Sequence, residues 1–170
     1  MARFPVSISS ALLAACFAAV ALAGDLEDAQ GLQQAGKYQD ALGKYESAVA
    51  AEPGNADACL GLSEGLEGLG RYQEAADAAV AGLKQHKEHI GLLVAKARAY
   101  MLMADAAMRA GDDPKDIYAH AAECDAALLK VLEAEPDHAD GNVLKAKVMQ
   151  HQGDQEGALA LLVANAEKHP

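Results

Sequence analysis

The sequence has no tryptophan, only two phenylalanines and five tyrosines, and five prolines in 170 residues. With so few large rings, a core has to be filled by alanine, leucine and valine. Side chains of that size suit closely packed helices, whereas strands favour β-branched and aromatic residues. Positive charge is scarce as well, because 14 Lys and Arg face 25 Asp and Glu and leave a formal charge of -11. Nucleic acid and anionic lipid both require local cationic surface, so neither is expected as a general partner. The acidic balance suits solubility and is compatible with a basic partner.

Chemistry-bearing motifs are missing too. The chain has no CxxC, CxxCH or HExxH, and no serine sits in a nucleophile elbow. His86 and His89 are three apart in QHKEHI and read as exposed residues of a turn, while His120, His138, His151 and His169 are scattered without ligand-spaced partners. Met101, Met103 and Met108 do not share a helical face, so they read as packing residues and not as copper ligands. With no assembled acid, base and nucleophile, the expectation is a protein that is not an enzyme and needs no cofactor or metal.

Long apolar runs are absent except at the beginning. MARF supplies Arg3, VSISSALLAACFAAVALA supplies the apolar run, and Ala21, Leu22 and Ala23 before Gly24 supply the small residues around a cut. Residues 1–23 thus read as a secretory signal peptide, which makes the protein exported, periplasmic or secreted, with no membrane span after cleavage. Leu13-Ala14-Ala15-Cys16 supports a competing reading, a lipobox in which Cys16 is acylated and the protein is a membrane-anchored lipoprotein. The apolar FAAVALA after Cys16 weighs against it, because a lipoprotein linker turns polar at once. An uncleaved anchor is the third reading. Cleavage after Ala23 leaves Cys59 and Cys124, an even pair that permits a bridge by count, yet both lie inside apolar helical patterns where a buried thiol is the commoner state.

Residues 59–70, CLGLSEGLEGLG, look at first like a phosphate-binding loop. Such loops work through backbone N–H groups, usually with a lysine or arginine, and follow a strand. Here Glu64 and Glu67 stand among the glycines and no strand-like run precedes them. The segment reads instead as a helix with Leu62, Leu66 and Leu69 on its core side and Gly70 as its stop. Its interior glycines, Gly61, Gly65 and Gly68, each cost about 0.8–1 kcal/mol relative to alanine.

Self-similarity organises the rest. GKYQDA at 36–41 recurs as GRYQEA at 70–75, an offset of 34 residues. AEPGNAD at 51–57 recurs as AEPDHAD at 134–140, and GRYQEA is followed by GDQEGA at 153–158, both at an offset of 83. The chain therefore divides into units of about 24–55, 56–89, 90–138 and 139–170, the third enlarged. Within a unit, Tyr38, Ala41, Leu42, Tyr45, Ala48 and Val49 fall on one helical face. Gly36 ends the helix before it, and Pro53 and Pro136 stop the second helices of their units.

A 34-residue period of helix pairs resembles the tetratricopeptide repeat family over essentially all of the mature length. The residues carrying the resemblance are Gly36, Tyr38, Ala41, Tyr45, Ala48 and Pro53 in the first unit, and Leu62, Ser63, Leu66, Gly70, Tyr72, Ala75 and Gly82 in the second. In the fourth they are Ala146, Met149, Gly153, Ala158, Leu162 and Pro170. The resemblance implies an all-α fold, a right-handed superhelical stack of antiparallel helix hairpins, built to bind another protein. Leu66 and Ala79 stand where the family often has aromatics, so the helices must approach closely. Lys87 replaces the usual closing proline.

The additional residues of the third unit amount to about four turns at 3.6 residues each. Leu93, Ala97, Tyr100, Ala104 and Met108 form one apolar stripe, and Ile117, Ala121, Cys124, Leu128 and Val131 another. Between them Gly111 is a helix stop, Asp113 an N-cap and Pro114 the first helical residue. Both helices of this unit are expected to be longer, with an exposed tip carrying Arg109, Asp112, Asp113, Lys115 and Asp116.

The resemblance also implies that the first helix of each unit lines a groove for an extended or helical peptide. That face carries Leu26, Gln30 and Gln33, then Leu60, Glu64 and Glu67, then Val94, Arg98 and Met101, then Val143, Lys147 and Gln150. The first two units offer no cation there, which disfavours a clamp for a C-terminal carboxylate and leaves room for a peptide cation at Glu64 and Glu67. Pairing of Glu64 with Arg98 is the internal alternative. At the C-terminus, ALALLVANA is apolar nearly all round. Leu159, Leu161, Leu162 and Val163 are therefore expected to form an edge for a partner helix or for a homodimer.

Overall fold

The computed structural model describes residues 24–169, and every regular element among them is an α-helix. Residues 1–23, with the expected signal segment and Cys16, lie outside the described residues, as does Pro170. The helices are α1 (24–34), α2 (Tyr38–Ala51), α3 (Ala56–Gly68), α4 (Tyr72–Leu83), α5 (Ile90–Ala110), α6 (Pro114–Ala134), α7 (Ala139–His151) and α8 (Gln155–Lys168). They pair as α1/α2, α3/α4, α5/α6 and α7/α8.

Two local rules written in the sequence set these boundaries. Each first helix ends at a glycine in the left-handed region: Gly36 at φ 72°, Gly70 at 75°, Gly111 at 75° and Gly153 at 88°. A side chain there would strain the backbone. The residue after each glycine donates its N–H five residues back, Lys37 to Leu32, Arg71 to Leu66, Asp112 to Ala107 and Asp154 to Met149, so one C-terminal motif recurs four times. The three later first helices also begin alike. Asn55, His89 and His138 accept the N–H of Ala58, Leu92 and Gly141 through their side chains, each satisfying a donor that the helix itself cannot. His89, expected as a free turn residue, is thus part of the fold.

Packing follows the pairs. The first helices touch across units, α3 with α5 and α5 with α7, and each second helix leans on the next first helix, α4 on α5 and α6 on α7. Small residues make the close approach possible. Ala41, Ala48, Ala58, Ala75, Ala79, Ala97 and Ala104 are fully buried, and a Cβ on Gly82 would lie 2.9 Å from the Cβ of Cys59. Ser63, also buried, donates its hydroxyl to the carbonyl of Ala75 at 2.9 Å.

The third pair is long, with 21 residues in each of α5 and α6 against 13 in α3 and 12 in α4. Its core joins Leu93, Ala97, Cys124, Leu128 and Val131 to Leu144 and Val148 of α7. The α5 stripe is covered as far as Ala104, and Met108 is 53% exposed. Asp113 caps α6 by accepting from Lys115, with Pro114 at its first position. Cys59 and Cys124 are both buried and free, so the bridge permitted by their number is not formed.

Candidate functional site

The glycine-rich segment builds the wall of a cavity. Tyr38 and Tyr45 on α2 are seven residues apart, and so are Gly61 and Gly68 on α3. The two helices run antiparallel, and the rings lie on the glycines. A Cβ on Gly61 would overlap the edge of the Tyr45 ring and lie 2.8 Å from its hydroxyl, and one on Gly68 would lie 2.8 Å from Cδ1 of Tyr38. Gly65 differs, since its nearest neighbour would be Leu42 at 3.8 Å. The close approach of α2 to α3 sets Tyr45 into the core at 1% exposure.

Beside these rings lies a cavity of about 610 Å³. Gln30, Gln33 and Gln34 of α1 form one side, Asp57, Leu60, Glu64 and Glu67 of α3 the other, and Arg98 reaches in from α5. A chain of polar contacts crosses it. Gln33 donates to Glu64 at 3.0 Å, Glu64 lies 3.8 Å from the Arg98 guanidinium, and Arg98 Nε lies 3.4 Å from Glu67. The internal pairing of Glu64 with Arg98 is therefore present, and as a half-exposed pair it is worth about 0.2–1 kcal/mol.

Glu67 is in a different state from Glu64. Its side chain is only 9% exposed. Burial pushes its carboxyl up to about 7, the attraction of Arg98 opposes that without cancelling it, and the charge of Glu64 adds to it. Burial also raises the Tyr45 hydroxyl, with a smaller push from Glu64.

Of the face expected to line the groove, Gln30, Gln33, Leu60, Glu64, Glu67 and Arg98 meet at this cavity. Val94 and Met101 do not, and here the sequence-based expectation needs correction: both are buried, at 4% and 1%, within the α5–α6–α7 core. The reason is the position of α5, which is packed against α3, α4, α6 and α7 at once. Val143, Lys147 and Gln150 are exposed on α7, away from the cavity. Lys147 and His151 instead face Asp105 of α5, at 3.8 Å and 3.0 Å, tying the last two first helices together. On α8, Leu159 and Val163 are 63% and 51% exposed, while Leu161 and Leu162 are half-buried.

Sequence reasoning missed the parts played by Tyr38, Tyr45, Gln34 and Asp57 around the cavity. The matched spacing of two tyrosines and two glycines on successive helices was the available signal. Among the described residues, no group of three or more His, Cys, Asp or Glu is arranged to hold a metal ion. No helix among them is long and apolar enough to cross a membrane.

Comparison with known proteins bears on the fold. No curated protein matches the chain. Among solved structures, TTC0263, a thermophilic TPR protein of Thermus thermophilus, is similar with a TM-score of 0.74 at 19% identity, over 85% of this chain and 72% of its own. MamA is similar at 0.44 and 13% identity, over 86% of this chain and 91% of its own. YrrB, described as a TPR protein with an unusual peptide-binding site, reaches 0.42 at 18% identity, over 86% and 85%. Residues 32–97, which hold most of the cavity wall, match the family model for a tetratricopeptide repeat. The chain thus carries a tetratricopeptide-repeat match from the end of α1 through α4 into the first turns of α5 and has the fold of an all-α solenoid of that type.

Proposed function

We propose that the protein is an exported interaction scaffold or adaptor that holds a peptide or helix of another protein against its first helices. The observation that carries this reading is the cavity between α1, α3 and α5, where six residues of the expected groove face come together beside two aromatic rings. Its lining mixes amides, acids, one guanidinium and Leu60, which suits a peptide backbone and side chains better than a single small molecule. Binding, not turnover, is the mechanism.

A photo-crosslinking residue at Gln30 tests it in intact cells. Capture of one defined protein from that position, and not from Leu129 at the exposed surface of α6, is the expected result. Equal capture from both positions would count against the groove. Charge reversal of Glu64 to Lys should weaken that capture, and unchanged capture would remove Glu64 from the site.

Export rests on residues 1–23. Mass measurement of the protein from the envelope fraction should give a chain beginning at Gly24. Incorporation of a fatty-acid probe at Cys16 would instead favour the alternative, a lipid-anchored structural component of an envelope complex. A second contact surface is supported by Leu159 and Val163, one turn apart and both exposed. If they mediate a homodimer, light scattering should show a dimer that Leu159→Asp abolishes, and a wild-type monomer at high concentration would end that reading.

A further inference from the structure

Two acceptors at the cavity have nothing to accept from. Glu67 directs Oε2 toward Arg98, while its Oε1 is buried with no hydrogen-bond partner. Gln33 donates through Nε2 to Glu64, while its Oε1 is likewise buried and unpartnered. An acceptor left this way costs about 1–3 kcal/mol, and more when it carries charge. Arg98 does not relieve this cost. Its contacts to Glu64 and Glu67, at 3.8 and 3.4 Å, are longer than the roughly 2.7–2.9 Å of a strong charge-assisted bond. The ionisable carboxyls around the cavity, Asp57, Glu64 and Glu67, also outnumber its one guanidinium.

We propose that this cavity is a subsite for a cationic side chain of the bound peptide, a lysine or arginine whose N–H donors pair with Glu67, Glu64 and Gln33. The inference rests on the groove reading given above and names the chemistry of its ligand. An anionic group is disfavoured by the same inventory, because Arg98 is already shared between two carboxylates. A cationic donor balances the acidic excess and, once the Glu67 and Gln33 side chains turn toward it, supplies what their two buried acceptors lack.

Proton release accompanies such binding. The charged groups acting on Glu67 are Arg98 on α5 and Glu64 on its own helix; Asp57 lies ten residues away, about 15 Å along α3, the cavity residues of α1 are uncharged glutamines, those of α2 are Tyr38 and Tyr45, and none comes from α4. In this setting the free carboxyl titrates at about 7. A cation beside it favours the ionised form, so the peptide binds more tightly as pH rises toward 8 and the gain levels off above that.

Panning a random twelve-residue peptide display library against the full chain tests the proposal. The enriched peptides should carry lysine or arginine, and their affinity should rise about tenfold between pH 6 and pH 8. Glu67→Gln should weaken binding about tenfold or more at pH 8 and flatten the pH response, with Glu64→Gln weakening it less and Glu133→Gln, an exposed acid on α6, leaving it unchanged. Enriched peptides that lose binding to Leu60→Arg but contain no excess of cations, or a flat pH response in the wild type, would overturn the cationic subsite while leaving the groove. If no peptide is enriched, or if Leu60→Arg has no effect, the groove reading itself falls.

Discussion

Replacing Gly65 by alanine should stabilise the protein, and replacing Gly61 on the same helix should destabilise it. Both positions are in the interior of α3, and alanine there gains about 0.8–1 kcal/mol of helix propensity over glycine. At Gly65 nothing opposes the gain, because the new methyl group would meet Leu42 at an ordinary 3.8 Å. At about 2–4 °C per kcal/mol for a chain of this size, the melting temperature should rise by about 2–4 °C. At Gly61 the methyl group would overlap the Tyr45 ring, and that ring cannot retreat: it is buried against Ala29 and Ala41. Overpacking of this kind costs about 1–3 kcal/mol, and the overlap with a buried ring puts it toward the upper end, so after the propensity gain the net loss should reach about 2 kcal/mol. Urea unfolding followed by circular dichroism measures both. Combining Gly61→Ala with Tyr45→Leu should recover part of the loss, since the two sites are coupled through one contact. Equal stabilisation by the two alanines would refute the steric account and reduce α3 to a helix of poor propensity.

Further expectations follow from the polar contacts. Removing the His138 cap with His138→Ala should cost about 0.5–2 kcal/mol, whereas His138→Asn should restore most of it, because asparagine can accept the Gly141 N–H in the same way. Glu67, with a folded-state value near 7 against 4.5 for the free side chain, holds its proton more tightly when folded. Stability should therefore fall as pH rises from about 4.5 to 7 and level off above, by about 3 kcal/mol in all, and chemical unfolding of Glu67→Gln should lack that slope. Burial pushes the Cys124 thiol up to about 12 and raises that of Cys59 as well, so iodoacetamide should leave both unmodified in the native protein and label them on unfolding.

The helix boundaries were legible because each is a local event. Gly36, Gly70, Gly111 and Gly153 end helices wherever they stand, and Asp113-Pro114 begins one, on the strength of backbone chemistry that neighbours do not alter. The recurrence of GKYQDA, GRYQEA and GDQEGA then made the pairing of helices and the all-α solenoid readable without coordinates. The cavity was legible in part. Gln30, Gln33, Leu60, Glu64, Glu67 and Arg98 were found by carrying one helical face from unit to unit, and that same step placed Val94 and Met101 wrongly. A face that is open on α3 is closed on α5, and periodicity along a helix carries no information about how many neighbours cover it.

The sequence by itself determined where the helices start and stop, that they come in repeated pairs, and that alanine and glycine let them pack closely. Only the tertiary structure decided what the glycines of CLGLSEGLEGLG are for and which acids matter. Gly61 and Gly68 admit rings from a different helix, Gly65 admits none, and Glu67 differs from Glu64 by burial beneath Arg98. These distinctions arise from contacts between residues remote in sequence, where excluded volume and desolvation act on side chains that look equivalent on paper.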